Sequence, residues 1–212
     1  MPDVLLYEKE AWASGFLCLA GIDEAGRGPL AGPVVAAAVV FDPDYIQAEL
    51  ATTFTRLTDS KAMTEKVREE YFEILQSSSF VQIGVGIVES SEIDEINILE
   101  ATHKAMALAV AQTDAKLALV DGLPVKGLPC NHKAIVKGDA LSISISAASI
   151  IAKVTRDRMM VEMDAAYPEY GFASHKGYGT KRHLEALGKH GATPIHRQTF
   201  RPVAELNQLD LL

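Results

Sequence analysis

The sequence predicts an α/β domain built on a mixed β-sheet, because short apolar runs and helical segments alternate along the chain. Two runs rich in Val and Ala, residues 17–22 and 34–41, come first and are separated by a loop of Gly and Pro residues. Segments with helical and strand periodicity then alternate toward the C-terminus. With 212 residues, 48% of them hydrophobic, the chain is long enough for one domain with a buried core.

The two N-terminal runs are predicted to be neighbouring strands, since only a short loop separates them. Thr64 is a candidate N-cap for a helix that ends near residue 76, because apolar residues recur on one side of that segment. Residues 81–87 alternate apolar residues with Gln and Gly, which is typical of a half-buried strand. Residues 93–112 show the spacing of a second amphipathic helix.

Two more strands and two more helices are predicted in the second half of the chain. The strands cover residues 116–120 and 134–136, and the helices cover residues 147–163 and 180–188. An acidic residue follows each strand, Asp121 in the first case and Asp139 in the second. Gly188 or Gly191 is expected to stop the last helix.

Several classes of protein are excluded by the composition. The longest apolar run, residues 34–41, is far shorter than the about 20 residues of a membrane-spanning helix. The N-terminus lacks a basic region followed by an apolar stretch, so no signal peptide is expected. Cys18 and Cys130 have no metal-ligand spacing and are expected to be buried thiols. We therefore expect a cytoplasmic monomer without a membrane partner.

The formal net charge of -8 is unusual for a protein that binds nucleic acid, but the charge is distributed unevenly. Residues 126–201 carry 12 Lys and Arg against 6 Asp and Glu, whereas the remaining residues carry 8 against 22. This asymmetry is either a chance fluctuation or the sign of a basic face that meets an anion.

Two acidic residues, Asp23 and Glu24, end the first predicted strand. They are either exposed acids at a strand end or ligands of a divalent cation, since Mg²⁺ prefers carboxylate oxygens. Neighbours on a regular strand point to opposite faces. Both can therefore reach one ion only if the strand ends or bulges there, or if one residue contributes its backbone carbonyl.

Asp121 and Asp139 also follow predicted strands. Ligands of open α/β sheets gather beyond the carboxyl ends of parallel strands, so the acidic strand ends are expected to converge. Each aspartate alone is as well explained by capping a turn. Together they favour a metal site over three coincidences, because clustered carboxylates repel one another unless a cation is bound.

Two glycine-containing loops are candidates for contacts with a phosphate or a sugar. The loop of residues 26–33 begins with Gly26-Arg27-Gly28 and lacks the Lys of a phosphate-binding Walker loop. It is either a tight hairpin or a place where the backbone approaches a ligand. Tyr178 lies between two glycines and near lysines, which suits stacking on a sugar or base, although a surface Tyr in a turn is the alternative.

Three further motifs complete a recognisable pattern: Asp59-Ser60-Lys61, the segment of residues 146–157, and His196-Arg197-Gln198-Thr199-Phe200. With them, the chain resembles ribonuclease HII, the bacterial type 2 ribonuclease H, over residues 20–202. Thr199 stands where Ser is familiar in the family, which leaves a hydroxyl at this position.

The resemblance implies an RNase H-like fold: a central mixed five-stranded sheet flanked by helices, with a helical C-terminal part. It implies one catalytic domain over residues 1–212. Within it, residues 17–160 form the RNase H-like core, and residues 161–212 form the C-terminal part that carries Tyr178.

The resemblance also implies an endonuclease that hydrolyses the RNA strand of RNA–DNA hybrids and nicks 5′ to single ribonucleotides in duplex DNA. The products carry a 3′-hydroxyl and a 5′-phosphate, and the expected roles are DNA replication and ribonucleotide excision repair. The family's four catalytic and metal-binding acids match Asp23, Glu24, Asp121 and Asp139. They are expected to hold two Mg²⁺ or Mn²⁺ ions about 3.5–4 Å apart, with Asp23 as the bridging ligand.

For the substrate, the resemblance implies that Gly26, Arg27 and Gly28 recognise the ribonucleotide and that Tyr178 packs on the next deoxyribose. Four lysines are candidate phosphate contacts, namely Lys61, Lys153, Lys176 and Lys181, and a solvated surface lysine is the alternative for each. Asp157 is expected to pair with Lys153 or Arg156 rather than bind metal. Two alternatives stay open. One is a non-catalytic duplex-binding protein of the same fold, and the other, closer in activity, is a nuclease of another two-metal family.

Overall fold

The computed structural model describes residues 3–57 and 63–209, and the side chains within this range up to residue 206. Its described residues form a five-stranded mixed sheet flanked by helices, as the sequence predicts. The strands are β1 (Leu19–Ala25), β2 (Val34–Phe41), β3 (Val81–Val88), β4 (Leu117–Asp121) and β5 (Asn131–Ile135). The helices are α1 (Leu6–Ala13), α2 (Pro43–Glu49), α3 (Glu65–Ser77), α4 (Ser90–Val110), α5 (Ile143–Ala166), α6 (Phe172–His175), α7 (Lys181–His190) and α8 (Arg201–Leu209).

The strand order is β3-β2-β1-β4-β5, with β1 at the centre. Strand β2 is antiparallel to both β1 and β3, whereas β1, β4 and β5 run parallel to one another. The carboxyl ends of β1, β4 and β5 therefore lie at one edge of the sheet. This arrangement brings the acidic strand ends of the sequence to the same place.

Helices cover both faces of the sheet, so that every residue of β2 is buried. Helix α5 packs on one face at a contact that only glycine permits: a Cβ atom on Gly21 would lie 2.0 Å from the backbone carbon of Ser144. Helix α4 packs on the other face, where a Cβ atom on Gly86 would lie 1.9 Å from the carbonyl oxygen of Ala105. These small residues allow α5 and α4 to approach the backbone of the sheet.

The C-terminal part forms its own apolar cluster against the loop of residues 26–33 and the end of α5. Its largest buried members are Tyr170, Phe172, Leu187 and Met160. Residue Ala31 forms an isolated antiparallel bridge with His196, which ties the loop to the segment before α8. The C-terminal part is thus packed against the sheet domain rather than extended from it.

Most predicted elements are confirmed, with shifted ends. Thr64 caps α3 through its hydroxyl, which accepts from the N–H of Val67, and Gly191 ends α7. Strand β5 starts earlier than predicted, at Asn131, and α5 starts at Ile143. Within the described chain, five elements had no individual prediction: the helices α1, α2, α6 and α8 and a 3₁₀ turn at Gly138–Ala140. None of the helices in the described part of the chain is long and apolar enough to cross a membrane.

Candidate functional site

Three aspartates meet at the edge of the sheet formed by the carboxyl ends of the parallel strands. Asp23 lies in β1, Asp121 ends β4, and Asp139 lies in the 3₁₀ turn that follows β5. One carboxylate oxygen of each residue lies within 4.8 Å of those of the other two. The structure therefore brings together three of the four acids that the sequence singles out.

Hydrogen bonds hold the carboxylates of Asp23 and Asp121 in place. Oδ1 of Asp23 accepts from the N–H of Glu24 at 2.7 Å, and the side chain of Ser149 in α5 also bonds to Asp23. Oδ1 of Asp121 accepts from the N–H of Gly138 at 2.7 Å, which fastens the turn carrying Asp139 to the end of β4. The aspartates are thus positioned by the sheet and by the helix packed on it.

Burial makes the cluster electrostatically unfavourable. Asp23 is 4% exposed, and the pKa of its carboxyl is raised well above the ordinary value, first by burial and then by the charges of Glu24 and Asp121. A divalent cation offsets such repulsion, and carboxylate oxygens are the ligands that Mg²⁺ and Mn²⁺ prefer. The donor set and its burial therefore fit a divalent metal.

Glu24 is not part of this group of three. Strand β1 continues to Ala25 in regular register, with Glu24 opposite Ala36 of β2, so the strand neither ends nor bulges at the two acids. Oε1 of Glu24 accepts from Nη1 of Arg27 at 3.3 Å. Its assignment as a metal ligand stays a prediction, although its charge is close enough to raise the pKa of Asp23.

A cleft of about 320 Å³ adjoins the acidic cluster. It is lined by residues 24–28 together with Ser149, Lys153, Arg156 and Tyr178. Tyr178 is 48% exposed, and a Cβ atom on Gly28 would lie 3.7 Å from Cε1 of the tyrosine ring. The structure thus places the Gly26-Arg27-Gly28 loop and the tyrosine, both singled out in the sequence, in the lining of one cleft.

Two buried arginines hold the loop of residues 26–33. The Arg156 guanidinium donates to the carbonyl oxygens of Pro33 at 2.9 Å, Ala31 at 3.1 Å and Lys176 at 2.9 Å, thereby joining the loop to the segment before Tyr178. Burial lowers the pKa of Arg156 to about 10, so the group remains charged at neutral pH.

Arg197 also binds carbonyl groups of this loop. Its guanidinium donates to the carbonyl oxygens of Arg27 at 2.9 Å and Gly32 at 3.0 Å, and also to that of Gly26. Burial and the nearby charge of Arg156 lower the pKa of Arg197 to about 9. In the sequence, Arg197 is only part of a motif and Arg156 is a candidate partner of Asp157, and no local signal indicates that they bind backbone carbonyls far away in the chain.

The predicted lysines differ in their surroundings. Nζ of Lys153 lies in the cleft and donates to Asp157 at 2.6 Å, which confirms the predicted pairing of Asp157. Lys176 has a left-handed backbone, with φ 51°, and its ammonium group donates to the carbonyl of Ala173. The side chain of Lys181 is 90% exposed. Lys61 and its motif of residues 59–61 lie outside the described residues.

Comparisons with known proteins agree on one family. The family model described as Ribonuclease HII matches residues 20–203. The chain is 52% identical over 201 residues to a ribonuclease HII of Acetivibrio thermocellus, covering 93% of this chain and 75% of the relative. It is 50% identical over 206 residues to a ribonuclease HII of Acholeplasma laidlawii, covering 96% and 97% of the two chains.

Solved structures agree as well. The crystal structure of the ribonuclease H2 from Pyrococcus horikoshii has a TM-score of 0.74 with 29% identity, and the match covers 90% of this chain and 97% of that one. The ribonuclease HII in a complex with PCNA from Archaeoglobus fulgidus has a TM-score of 0.72 with 26% identity, covering 87% and 95%.

Proposed function

The chain belongs to the ribonuclease HII family and is a ribonuclease H enzyme, and from this premise we propose that it nicks duplex DNA 5′ to an embedded ribonucleotide. It also hydrolyses the RNA strand of RNA–DNA hybrids and leaves a 3′-hydroxyl and a 5′-phosphate. The observation that carries the proposal is the cleft in which a glycine loop and an exposed tyrosine face each other beside three clustered aspartates. Family membership favours this enzyme over a non-catalytic duplex-binding protein.

Asp23, Asp121 and Asp139 would hold the metal, with Glu24 as the fourth acid and Asp23 as the shared ligand of two ions. When bound, Mg²⁺ or Mn²⁺ supplies an activated water and stabilises the leaving 3′ oxygen. The aspartates contribute fixed ligand oxygens, and the repulsion among Asp23, Glu24 and Asp121 that raises the pKa of Asp23 also favours the binding of a cation.

The loop of residues 26–28 is proposed to sense the 2′-hydroxyl, the group that distinguishes RNA from DNA. Because the carbonyl groups of Gly26 and Arg27 already accept from Arg197, we assign the N–H groups of the loop to the ligand. Glycine at position 28 keeps the cleft open toward Tyr178, since a side chain there would come into contact with the ring.

Tyr178 is proposed to pack on the deoxyribose that follows the ribonucleotide. A flat ring at van der Waals distance accepts a hydrogen at the 2′ position and clashes with a hydroxyl. This selects the junction at which RNA is followed by DNA. Lys153 and Lys176, with Lys61 and Lys181, are proposed to contact phosphates of the duplex, and the expected biological roles are ribonucleotide excision repair and DNA replication.

The test is cleavage of a DNA duplex that carries one ribonucleotide, with Mg²⁺ or Mn²⁺ and with an all-DNA duplex as the control. We expect the wild type to nick only the first duplex, on the 5′ side of the ribonucleotide. Tyr178→Ala is expected to bind metal normally and to lose rate at the single ribonucleotide, whereas Tyr167→Ala serves as a matched tyrosine control. Equal cleavage of both duplexes by the wild type would show that the loop does not sense the 2′-hydroxyl.

A further inference from the structure

Behind the Tyr178 loop lies a group of buried histidines that the proposed reaction does not use. His183 in α7 is 0% exposed, His196 is 1% exposed, and His175 is 9% exposed. The rings of His175 and His183 are stacked, with centroids 4.6 Å apart. Buried imidazoles need a hydrogen-bond partner on each nitrogen, so the partners of these rings determine their protonation.

The partners form a continuous chain that ends on Tyr178. Nδ1 of His196 faces the N–H of Thr193 at 2.9 Å and the hydroxyl of Thr193 at 2.8 Å, and Nε2 of His196 faces Nε2 of His183 at 3.0 Å. Nδ1 of His183 faces the carbonyl oxygen of Tyr178 at 2.9 Å. Two side chains therefore connect a backbone N–H at position 193 to a backbone carbonyl at position 178.

Both ends of this chain require the same pair of tautomers. The N–H of Thr193 can only donate, so Nδ1 of His196 accepts and its Nε2 carries the hydrogen. That hydrogen is donated to Nε2 of His183, whose Nδ1 must then carry a hydrogen. The carbonyl of Tyr178 can only accept, and it receives that hydrogen. A further proton on Nε2 of His183 would put two hydrogens against each other between the rings and break the chain. A further proton on Nδ1 of His196 would face the N–H of Thr193.

The surroundings also favour neutral rings. The titratable and charged groups that face the pair are His175, stacked on His183, Tyr170, whose ring lies 5.1 Å from that of His196, and Arg197, the next residue in the chain. Arg156 reaches the same loop through the carbonyl of Lys176, and His190 lies beyond Tyr170. Burial lowers the pKa of both His183 and His196, the latter to about 4.

The segment that contains His196 also determines the other side of the cleft. Its neighbour Arg197 binds the carbonyls of the Gly26-Arg27-Gly28 loop, while His196 reaches Tyr178 through His183. The two sides of the cleft are thus connected to consecutive residues. A change in the histidine pair is expected to move the ring relative to Gly28 without altering the aspartates.

We propose that His183 and His196 are positioning residues, which hold the Tyr178 ring at its distance from the Gly28 backbone through a chain of hydrogen bonds with one fixed pair of neutral tautomers. This inference rests on the proposed role of Tyr178 in selecting the ribonucleotide–DNA junction. It adds the residues that fix the backbone from which the ring of Tyr178 projects.

The tautomers are tested directly by NMR on the full chain labelled with ¹⁵N-histidine, at pH 7 and without substrate. The expected result is His183 with its hydrogen on Nδ1 and His196 with its hydrogen on Nε2, assigned by the loss of signals in His183→Asn and His196→Gln. A hydrogen on Nε2 of His183, or a charged ring at either position, would overturn the proposal whatever the enzyme cleaves.

The positioning role is tested by comparing two activities of each variant: nicking at a single ribonucleotide and cleavage of an RNA–DNA hybrid. In His183→Phe we expect kcat for the single ribonucleotide to fall about tenfold, since a small misplacement of a positioning group is costly. Hybrid cleavage and the dependence on Mg²⁺ concentration should change less than about twofold, because the aspartates are not displaced. His183→Asn, whose amide can still donate to the Tyr178 carbonyl, should recover most of the rate.

His190→Asn is the matched control, because His190 lies on the same helix outside the hydrogen-bond chain. In a Tyr178→Ala background, His183→Phe should have no further effect on the ratio of the two activities. Equal loss of both activities in His183→Phe, or an additive effect in that background, would overturn the positioning role. Absence of nicking by the wild type would instead overturn the proposed function. The NMR experiment, which uses no substrate, would still test the tautomers in that case.

Discussion

The three aspartates and the Tyr178 loop adjoin the same cleft, but opposite kinds of interaction hold them in place. At the aspartates, like charges are buried together, and the raised pKa of Asp23 records the cost. At the loop, Arg156, Arg197 and the histidine pair meet carbonyl oxygens with matching donors. The aspartates repel one another in the absence of a cation, whereas the carbonyl groups of the loop already have hydrogen-bond donors within the protein.

This difference matches the separate tasks that the proposed function gives to the two regions. A metal site gains affinity when the free protein holds repelling carboxylates ready for the ion. A surface that measures the position of one hydroxyl gains nothing from such strain and requires rigidity instead. We therefore expect substitutions of the aspartates to abolish cleavage while raising the stability of the metal-free protein. Substitutions of Arg197 or His196 should lower the stability while leaving metal binding intact.

The largest expected effect is that of Asp23→Asn. Cleavage of any substrate should fall by at least about 1,000-fold, since the proposed ligand of the catalytic metal is lost and about 4 kcal/mol of transition-state stabilisation with it. The metal-free variant should unfold at a higher temperature than the wild type, because a buried charge beside Glu24 and Asp121 has been removed. Thermal unfolding without metal measures the expected rise in Tm, and thermal unfolding with Mg²⁺ or Mn²⁺ measures the expected loss of stabilisation by metal.

Asp114→Asn is the control for this comparison, because Asp114 bonds Gln82 on the surface, away from the cluster. It should retain the rise in Tm on adding metal. If metal-free Asp23→Asn unfolds at a lower temperature than the wild type, the idea that the aspartates oppose folding is wrong.

The difference also explains what the sequence could predict. Asp121 and Asp139 follow strands, and their convergence with Asp23 required only a parallel arrangement of those strands. Glu24 shows the limit of this reasoning: alternation along β1 points its side chain to the face opposite that of Asp23, and the structure leaves it out of the group of three carboxylates.

The framework behind Tyr178 was beyond prediction for a physical reason. Arg197 lies 165 residues after its acceptor Gly32, and backbone carbonyls have no side-chain signature in a sequence. The histidine pair likewise becomes visible only when α7 and the segment before α8 pack together. The unpredicted helices have a similar origin: α1 is anchored when the buried carboxylate of Glu8 accepts from Ser144 of α5, at 3.1 Å.

Arg197→Lys is expected to have the next largest effect, now on stability. Lysine keeps the charge but cannot reproduce a planar fork of donors, so buried carbonyls at positions 26, 27 and 32 lose partners. We expect the free energy of unfolding in urea to fall by about 3 kcal/mol. Arg201→Lys, on an exposed side chain paired with Glu205, should change it by less than about 0.5 kcal/mol. Equal stability of the Arg197→Lys variant and the wild type would mean that charge, not fork geometry, holds the loop.

A smaller effect is expected from pH. The pKa of His196 is about 4 in the folded protein against an ordinary 6.5, so below pH 6.5 the unfolded chain binds a proton that the folded chain excludes. This contribution to stability is therefore complete above pH 6.5 and declines as pH falls toward 4. Urea unfolding at pH 7 and pH 5 should show the wild type losing about 1–2 kcal/mol more than His196→Gln. A parallel pH dependence of the two proteins would show that His196 is not held neutral.

The smallest effect is expected for Lys153→Ala, which lies between the two regions. Its ammonium group lines the cleft yet already pairs with Asp157, so only part of its charge is available to a phosphate. We expect Kd for a catalytically inert duplex to rise a few-fold, equally for duplexes with and without a ribonucleotide, and the slope of log K against log salt to decrease by about one. Lys189→Ala, at the C-terminal end of α7, is the control and should leave the slope unchanged. If the affinity fell only for the duplex with a ribonucleotide, Lys153 would act in ribonucleotide selection instead of phosphate binding. It would then belong with the Tyr178 loop rather than between the two regions.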